Sequence, residues 1–519
     1  MNWKEHIQNT RLKLSRFIFG LKQIKLTTNY NTALSAYYAY AYPPVGERRF
    51  LRPVQRRLEG EMSTKAICAP CPQPDLRQPG RVIGKEDCLC LNIFTPKMPG
   101  SEDGSPVVFF IHGGNYKIGS ASAYGQLVKK DTILVTVQYR LASLGFLSSG
   151  DRDDTGNAGL FDIYAALQWV RDYIEFFGGD PSKIVVMGQG SGGSAASLIG
   201  LSNEGRAARG VIALSGAPLS PAAVRSDPAT HAAALADATG CPEKPIERLL
   251  VCLRKVSVDK IIKVCNICQS GSGAGVEGKD DQRGLPTLVE ETPADSLEHK
   301  TQRVPLLTGV TSGETSRAVF GKYSSFLKDK LTSVKDFLKS ELVGSLRGMV
   351  NGVHGLIPVD KVGNAVPGLP LADYYQAVFD NTMNTVDGLT QVVEVTELND
   401  TEDSKERAAA GPAHGDELAY IFEPLDENGV PIATDISEED KRVREAFVAL
   451  ISNFAHDSTP LDTKNNSNSP LAAFSTDSDS FIRIGETVRI DKNFRQVTFF
   501  LLYSIFLYFF YTISITNFL

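Results

Sequence analysis

The first candidate for chemistry is a glycine-rich stretch, Gly188-Gln-Gly-Ser-Gly192, which follows the apolar run 184–187. A turn of the form G-x-S-x-G carries a serine nucleophile between a strand and a helix, and small flanking residues let that turn close. Here the central position holds Gly190, and Ser191 comes one residue later. Glycine has no side chain that could attack a carbonyl, so covalent acyl transfer lacks its first reactant.

Eight cysteines are the second candidate for chemistry. An even number in clusters favours disulfides, although the connectivity stays open. Zinc is the alternative, because Cys68-x-x-Cys71, Cys88-x-Cys90 and Cys265-x-x-Cys268 have ligand-like spacing. Zinc ribbons are compact modules, whereas these cysteines lie inside what is predicted to be one large fold. We therefore expect no metal site and no cofactor.

The segments that position these residues alternate between strand and helix patterns. Apolar runs at 107–111, 132–137 and 184–187 are typical of buried strands, and the first and third end in glycine turns. Residues 161–176 carry apolar side chains at helical spacing. This order predicts an α/β fold with a mostly parallel sheet covered by helices on both faces. Residues 323–357 are predicted to be mainly helical.

Five motifs follow one another along most of the chain. They are Ala41-Tyr-Pro-Pro-Val-Gly-Glu-Arg-Arg-Phe50, Glu86-Asp-Cys-Leu-Cys-Leu-Asn92, Phe161-Asp162 through Trp169 to Phe177-Gly-Gly-Asp-Pro181, Lys183 to Gly193, and Ala413-His-Gly-Asp-Glu417. In this order they resemble the type-B carboxylesterase/cholinesterase family of α/β-hydrolases. The resemblance implies the α/β-hydrolase fold over residues 38–495.

The resemblance also implies roles for individual residues. Gly190 stands at the family's nucleophile position, which is therefore degenerate, while Glu314 matches the acid and His414 the base. The family usually places a further strand before the His loop, and residues 398–411 contain no apolar strand run, which predicts that this strand is missing. The positions of the oxyanion donors correspond to the backbone N–H groups of Gly114, Asn115 and Ser191, with Asn115 in place of the usual third glycine.

Ser191 is the alternative nucleophile, with His414 as its base and Glu314 orienting that base. A slip of one position would put Gln189 where the preceding small residue belongs. Such a slip would also turn every side chain of the preceding strand to the opposite face of the sheet. We therefore expect Gly190 at the centre of the turn.

Family members that lack the nucleophile include cholinesterase-like adhesion proteins of the neuroligin and glutactin type, so the resemblance implies a protein partner at a cell surface. It also implies two family disulfides, Cys71–Cys88 and Cys241–Cys252. Cys68 with Cys90 and Cys265 with Cys268 are further candidate pairs that the family bridges do not include. Tryptophan occurs only at positions 3 and 169, so the 71–88 loop lacks the tryptophan that a cation–π site for choline would need. The helical stretch 331–350 is a candidate for a homodimer contact.

The composition limits the class of protein. The 519 residues carry a net charge of −6, and 42% of them are hydrophobic. A chain this apolar buries enough surface to offset its ordering entropy, so disorder of the whole chain is excluded. A mildly acidic chain repels phosphate, so we expect no nucleic-acid partner.

Both ends of the chain differ from the middle. Residues 497–519 carry no charge and are long enough, as a helix, to span a hydrocarbon core of about 30 Å. A buried terminal helix is the alternative, but apolar residues fall on all sides. Residues 1–37 are basic and contain no secretory signal, and are left unassigned as a presequence, a membrane-surface helix or an artefactual upstream exon. The predicted parts are thus 1–37, the esterase-type domain 38–495 and the membrane segment 497–519.

The location follows from conflicting signals. A charge-free tail without a leader is typical of a cytosolic tail-anchored protein, whereas paired cysteines and the sequons at Asn399 and Asn465 favour the secretory lumen. We expect a membrane-attached, extracellular or lumenal domain whose signal peptide is missing from this N-terminus. The tail is then a spanning helix or a removed GPI signal.

Two functions from different classes remain. The leading hypothesis is a catalytically silent esterase-fold protein that acts by protein–protein contact at a membrane or cell surface. The alternative is a carboxylic ester hydrolase that uses Ser191 with His414 and Glu314.

Overall fold

A ten-stranded sheet forms the centre of the computed structural model. The structure describes residues 34–56, 68–76, 78–96, 104–121, 124–148, 156–220, 223–225, 228–267, 273–277, 286–299, 304–311, 390–395, 415–423, 436–458, 481–485 and 488–492. In chain order the strands are β1 Leu34–Ala39, β2 Cys90–Thr95, β3 Ser105–Ile111, β4 Ile133–Val137, β5 Gly179–Gln189, β6 Gly210–Leu214, β7 Leu306–Thr311, β8 Thr390–Val395, β9 Phe481–Ile484 and β10 Val488–Asp491.

The strands lie in the spatial order β1-β2-β4-β3-β5-β6-β7-β8-β9-β10. From β4 to β9 every neighbouring pair is parallel, and β1, β2 and β10 add antiparallel edges. Parallel strands need crossover connections, which helices usually provide. Two short ribbons accompany the sheet and pair Gln73–Pro74 with Val82–Ile83 and Tyr124–Gly125 with Phe422–Glu423.

The helices lie in the connections between these strands. The α-helices are α1 Ala142–Phe146, α2 Ala158–Tyr173, α3 Ser191–Leu201, α4 Pro228–Thr239, α5 Ile246–Leu253, α6 Val258–Ile267, α7 Pro293–His299, α8 Leu418–Ile421 and α9 Glu438–Asp457. Short 3₁₀ helices occupy Gly46–Arg48, Gln126–Lys130, Ile174–Phe177 and Glu204–Ala207.

The sheet has a separate apolar core on each face. Successive residues of a strand point to opposite faces, so the wholly buried strand β3 serves both cores. Phe109 belongs to the core that contains Trp169 of α2, and Phe110 belongs to the one that contains Phe447 of α9. The prediction of a mostly parallel sheet with helices on both faces is confirmed. Burial on both faces explains why the strands are continuous apolar runs.

The prediction that a strand is missing before His414 was wrong. Strand β8, Thr390–Val395, lies between β7 and β9 and pairs with both in parallel. The strand is formed by a run rich in β-branched residues. This run ends just before the polar segment 398–411, on which the prediction was based. The sheet therefore continues from β7 to β9 without a gap.

Several predictions about the ends and the helical region fall on residues outside the described part. These are the segments 1–33, 323–357 and 497–519, with the membrane tail and the proposed dimer helix among them. Within the described ranges, no helix combines the length and apolarity that crossing a membrane requires. The same ranges hold no group of His, Cys, Asp and Glu residues suited to a metal ion.

Candidate functional site

A sharp turn joins the end of β5 to the start of α3. The strand ends at Gln189, the helix begins at Ser191, and Gly190 between them has φ 56° and ψ −126°. A side chain is disfavoured in this backbone region, so glycine is the residue that adopts it without strain. The apex of the turn therefore carries no side-chain nucleophile.

Two further glycines fix the register of this turn. A Cβ atom on Gly188 would lie 2.1 Å from the carbonyl oxygen of Gly192, and one on Gly192 would lie 2.2 Å from the carbonyl oxygen of Ile111. These contacts are with backbone atoms, which cannot move without separating α3 from the sheet. The same atom on Gly193 would keep 3.2 Å from its nearest neighbours. The required small residues thus flank Gly190 symmetrically, at two positions before and two after.

Ser191 is the first residue of α3, and its hydroxyl contacts the loop that follows β3. Its Oγ accepts a hydrogen bond from the backbone N–H of Tyr116 at 3.2 Å. Burial, and then the neighbouring Tyr116, raise the pKa of Tyr139 well above its ordinary value of 10.0, against a smaller opposing effect of the Ser191 hydroxyl. Tyr139 in turn donates to the carbonyl oxygen of His112 at 2.8 Å. The serine hydroxyl therefore holds two elements of the site together.

The loop after β3 has three consecutive residues with positive φ. They are Gly114 at 112°, and Asn115 and Tyr116 at 55° each. The carbonyl oxygen of Gly114 accepts from the N–H groups of Lys117 and Ile118 at 3.0 and 3.1 Å, which closes a tight turn. Non-glycine residues in this region store backbone strain, and such strain is concentrated at functional sites. The turn brings the N–H groups of residues 114 and 115 to the edge of the sheet where Gly190 lies.

His112 precedes this turn and is a packed side chain. It is buried, its ring stacks on Tyr139 with 4.5 Å between centroids, and its Nδ1 lies 2.9 Å from the carbonyl oxygen of Gly113. Burial lowers the pKa of His112 to about 4. A neutral, stacked imidazole supports the loop.

The His loop approaches the turn from the other side. A Cβ atom on Gly415 would lie 3.5 Å from Nε2 of Gln189, and a Cβ atom on Gly113 would lie 2.8 Å from Oε1 of the same side chain. Gln189 is buried and so lies between the two loops. Strand β7 ends at Thr311, three residues before Glu314, at the edge of the sheet where the parallel strands end. The sequence neighbours of both predicted partners thus converge on one site.

Comparison with known proteins identifies the family. The profile described as "Carboxylesterase family" matches residues 25–350, more than half of the chain. The chain belongs to the carboxylesterase family. The α/β-hydrolase fold that the motifs implied is the fold of this family. The glycine turn after β5, residues 188–192, is called the elbow below.

Relatives in the carboxylesterase family differ in what their names state. A carboxylic ester hydrolase of Bombus ignitus is 39% identical over 53% of this chain and 51% of its own length. Neuroligin-3 of Mus musculus is 34% identical over 43% of this chain and 33% of its own length. Esterase-5B of Drosophila persimilis is 27% identical over 80% of this chain and 83% of its own length. The matches thus span about half or less of the first two relatives.

The described residues include part of the site predicted for this carboxylesterase-family chain. Gly114, Asn115, Gly190 and Ser191 lie together around the elbow. Glu314, His414, Cys268 and the sequons at Asn399 and Asn465 lie outside the described residues.

The predicted cysteine pairs within the described ranges are present as disulfides. The Sγ atoms are 2.02 Å apart in Cys71–Cys88 and 2.09 Å apart in Cys241–Cys252, and Cys68–Cys90 is a third bridge. Cys71–Cys88 closes a loop next to the site, whereas Cys241–Cys252 joins the end of α4 to α5.

Several residues of the elbow environment were not predicted from the sequence. The Tyr116 N–H donates to Ser191, the Tyr139 hydroxyl donates to the carbonyl oxygen of His112, and Gln73 binds the loop after β3. Each contact joins residues far apart in the chain, so no local pattern marks it. The one signal that the sequence offers is the asparagine at position 115, because Asn adopts positive φ more readily than most residues.

Proposed function

We propose that this chain is a non-catalytic esterase-fold protein that acts by protein–protein contact at a membrane or cell surface. The observation that carries the proposal is Gly190 at the apex of the elbow, where an esterase of this fold needs a nucleophilic side chain. The clashes that side chains on Gly188 and Gly192 would make support this register. The loss of a serine also relieves the backbone strain that the elbow imposes on any non-glycine residue.

The surface role rests on similarity to neuroligin-3, since the cholinesterase-like adhesion proteins use the same fold as a binding surface. Three disulfides are typical of extracellular or secretory proteins. We therefore place the domain 38–495 outside the cell or in the secretory lumen, attached through residues 497–519. Its partner is a protein, and a homodimer through 331–350 is part of the proposal.

Ester hydrolysis is the second candidate function. It is favoured by the names of the relatives, several of which are esterases, and by the presence of Glu314 and His414 at the positions of the family acid and base. In this case Ser191 would be the nucleophile. Its hydroxyl would first have to leave the hydrogen bond that it accepts from the Tyr116 N–H.

A fluorophosphonate probe separates the two functions. We expect no covalent label on the wild-type chain, and a rate with p-nitrophenyl acetate no greater than oxyanion stabilisation alone provides, roughly 10³–10⁴ over water. The Gly190→Ser variant should acquire label at residue 190 if the acid and base are aligned with the elbow. The Ser191→Ala variant is the matched control and should leave the residual rate unchanged. Stoichiometric label on Ser191 of the wild-type chain would reject the proposal.

The contact function needs its own measurement. Cells that display the full chain behind an added signal peptide should cluster with cells that display its partner or a second copy, and Gly190→Ser should leave the clustering unchanged. Clustering that is abolished when the fluorophosphonate probe labels the chain would link the contact to catalysis and contradict a silent scaffold.

A further inference from the structure

Gln73 connects two parts of the site that are distant in sequence. It lies two residues after Cys71, in the loop that the Cys71–Cys88 disulfide closes, and it is 6% exposed. Its Nε2 donates to the carbonyl oxygen of Gly119 at 2.7 Å, and its Oε1 accepts from the N–H of Gly119 at 2.9 Å. The side-chain amide thus satisfies both backbone polar groups of one residue, as a neighbouring β-strand would.

The same amide is also tied back to the disulfide. Nε2 of Gln73 donates to the carbonyl oxygen of Cys71 at 3.1 Å. A Cβ atom on Gly84 would lie 2.4 Å from that carbonyl oxygen, so the loop closes tightly around Cys71. Both sulfurs are buried, and Cys88 lies two residues before the start of β2. The Cys71–Cys88 disulfide therefore restrains the position of Gln73 relative to the sheet, together with the Cys68–Cys90 bridge and the pairing of Gln73–Pro74 with Val82–Ile83.

Gly119 packs closely against His112 and Gly113, the end of the loop that lies nearest the elbow. Its φ is 127°, and a Cβ atom there would lie 2.2 Å from Nδ1 of His112 and 2.5 Å from the carbonyl oxygen of Gly113. With Gly119 held against both residues, the turn at 114–118 has its two ends fixed at one place. The N–H groups of Gly114 and Asn115 are presented by that turn.

We propose that Gln73 is a positioning residue that couples the Cys71–Cys88 disulfide to the shape of the 112–119 loop. A dithiol reductant would add two electrons and two protons to the bridge, break the sulfur–sulfur bond and leave two thiols, while the dithiol becomes a disulfide. Gln73 then loses the restraint that the bridged Cys71 provides, and the 112–119 loop becomes less ordered. The device acts whether the site binds a partner or hydrolyses an ester, so it goes beyond the proposed function.

Hydrogen exchange on the full chain, followed by mass spectrometry of peptides covering 112–120, tests this coupling. The Gln73→Leu variant keeps the side-chain size but loses all three hydrogen bonds of the amide. We expect the amides of the loop to exchange on the order of tenfold faster than in wild type. The double variant Cys71→Ala/Cys88→Ala should give the same local acceleration. The triple variant should exchange no faster than the faster of the two, because both changes remove one coupled unit.

The matched control is Cys241→Ala/Cys252→Ala, which removes a different disulfide from the chain. It should accelerate exchange in α4 and α5 and leave the 112–120 peptides unchanged. If Gln73→Leu does not fold, Gln73→Glu retains the acceptor for the Gly119 N–H and should give a smaller acceleration in the same peptides. Unchanged exchange in the loop of the folded variants, or accelerations that multiply in the triple variant, would overturn the proposal.

Discussion

The glycines of the elbow give the sharpest prediction, because they differ in the space around each Cα atom. An added methyl group would lie 2.1 Å from a backbone oxygen at position 188 and 2.2 Å from one at position 192, but 3.2 Å from its nearest neighbour at position 193. We therefore expect Gly188→Ala and Gly192→Ala to be strongly destabilising. Gly193→Ala should be tolerated, although it lies in the same turn of α3.

These distances determine how much stability each variant is expected to lose. The first two contacts fall short of the ordinary contact distance of 3.4 Å by more than 1 Å, and the atoms met are backbone. Overpacking typically costs about 1–3 kcal/mol, and the need to move α3 off the sheet places these two variants at about 3 kcal/mol or above. At Gly193 the small displacement is offset by about 1 kcal/mol of helix propensity that alanine gains over glycine. Its net effect should stay within about 1 kcal/mol.

Urea unfolding followed by circular dichroism ranks the three variants by stability. The register with Gly190 at the apex predicts that the midpoint falls for Gly188→Ala and Gly192→Ala and is nearly unchanged for Gly193→Ala. With Ser191 at the apex, residues 189 and 193 would flank the turn instead. A tolerated Gly188→Ala together with a damaging Gly193→Ala would therefore refute the register and restore Ser191 as the nucleophile.

Asp162→Asn should lower the free energy of unfolding by about 3–5 kcal/mol in the same assay, because it leaves the buried Arg140 guanidinium without its counter-charge. That guanidinium is 3% exposed and lies 2.7 Å from both carboxylate oxygens of Asp162. The control is Asp259→Asn, in the exposed pair with Lys263, which should cost less than about 1 kcal/mol. Cys241→Ala/Cys252→Ala should cost about 3 kcal/mol, since the bridge restrains a short loop of the unfolded chain, and an unchanged unfolding midpoint under non-reducing conditions would contradict this. The free energy of unfolding should fall as the pH drops from 6.5 toward 3, because burial, with Arg225 and Lys117, lowers the pKa of His231 to about 3, whereas the unfolded chain takes up the proton near 6.5. His231→Gln should reduce that slope by up to about 1.4 kcal/mol per pH unit. An identical slope in the variant would show that another group is responsible.

The sequence predicted the parts of this protein that local patterns encode. Apolar runs of β-branched residues identify the buried strands, because a strand in a parallel sheet meets apolar neighbours on both faces. The strand–glycine–helix order places Gly190 and the loop at 112–114 at the same edge of the sheet. The sequence also shows glycine at position 190, where the G-x-S-x-G motif would have its serine, and this observation needs no coordinates.

The strand at 390–395 shows where pattern reasoning failed. Most of its residues are β-branched, whereas the segment downstream, 398–411, is polar and was the basis of the wrong prediction. Pairing with β7 and β9 shows its place, and that pairing joins residues separated by about 80 positions or more. Strand partners are a property of the whole sheet, so they cannot be obtained from one segment.

The tertiary structure alone decided how the residues around the elbow support one another. The sequence predicted Gly190 rather than Ser191 at the apex, but the close approach of Gly188 to Gly192 and of Gly192 to Ile111 is seen only in the tertiary structure. Likewise, the sequence indicated a disulfide at Cys71 but gave no sign that Gln73 would bind Gly119, 46 residues away. Sequence fixes which chemical groups are present, whereas their mutual distances arise only when the chain has packed, because contacts between distant segments depend on the backbone path of both.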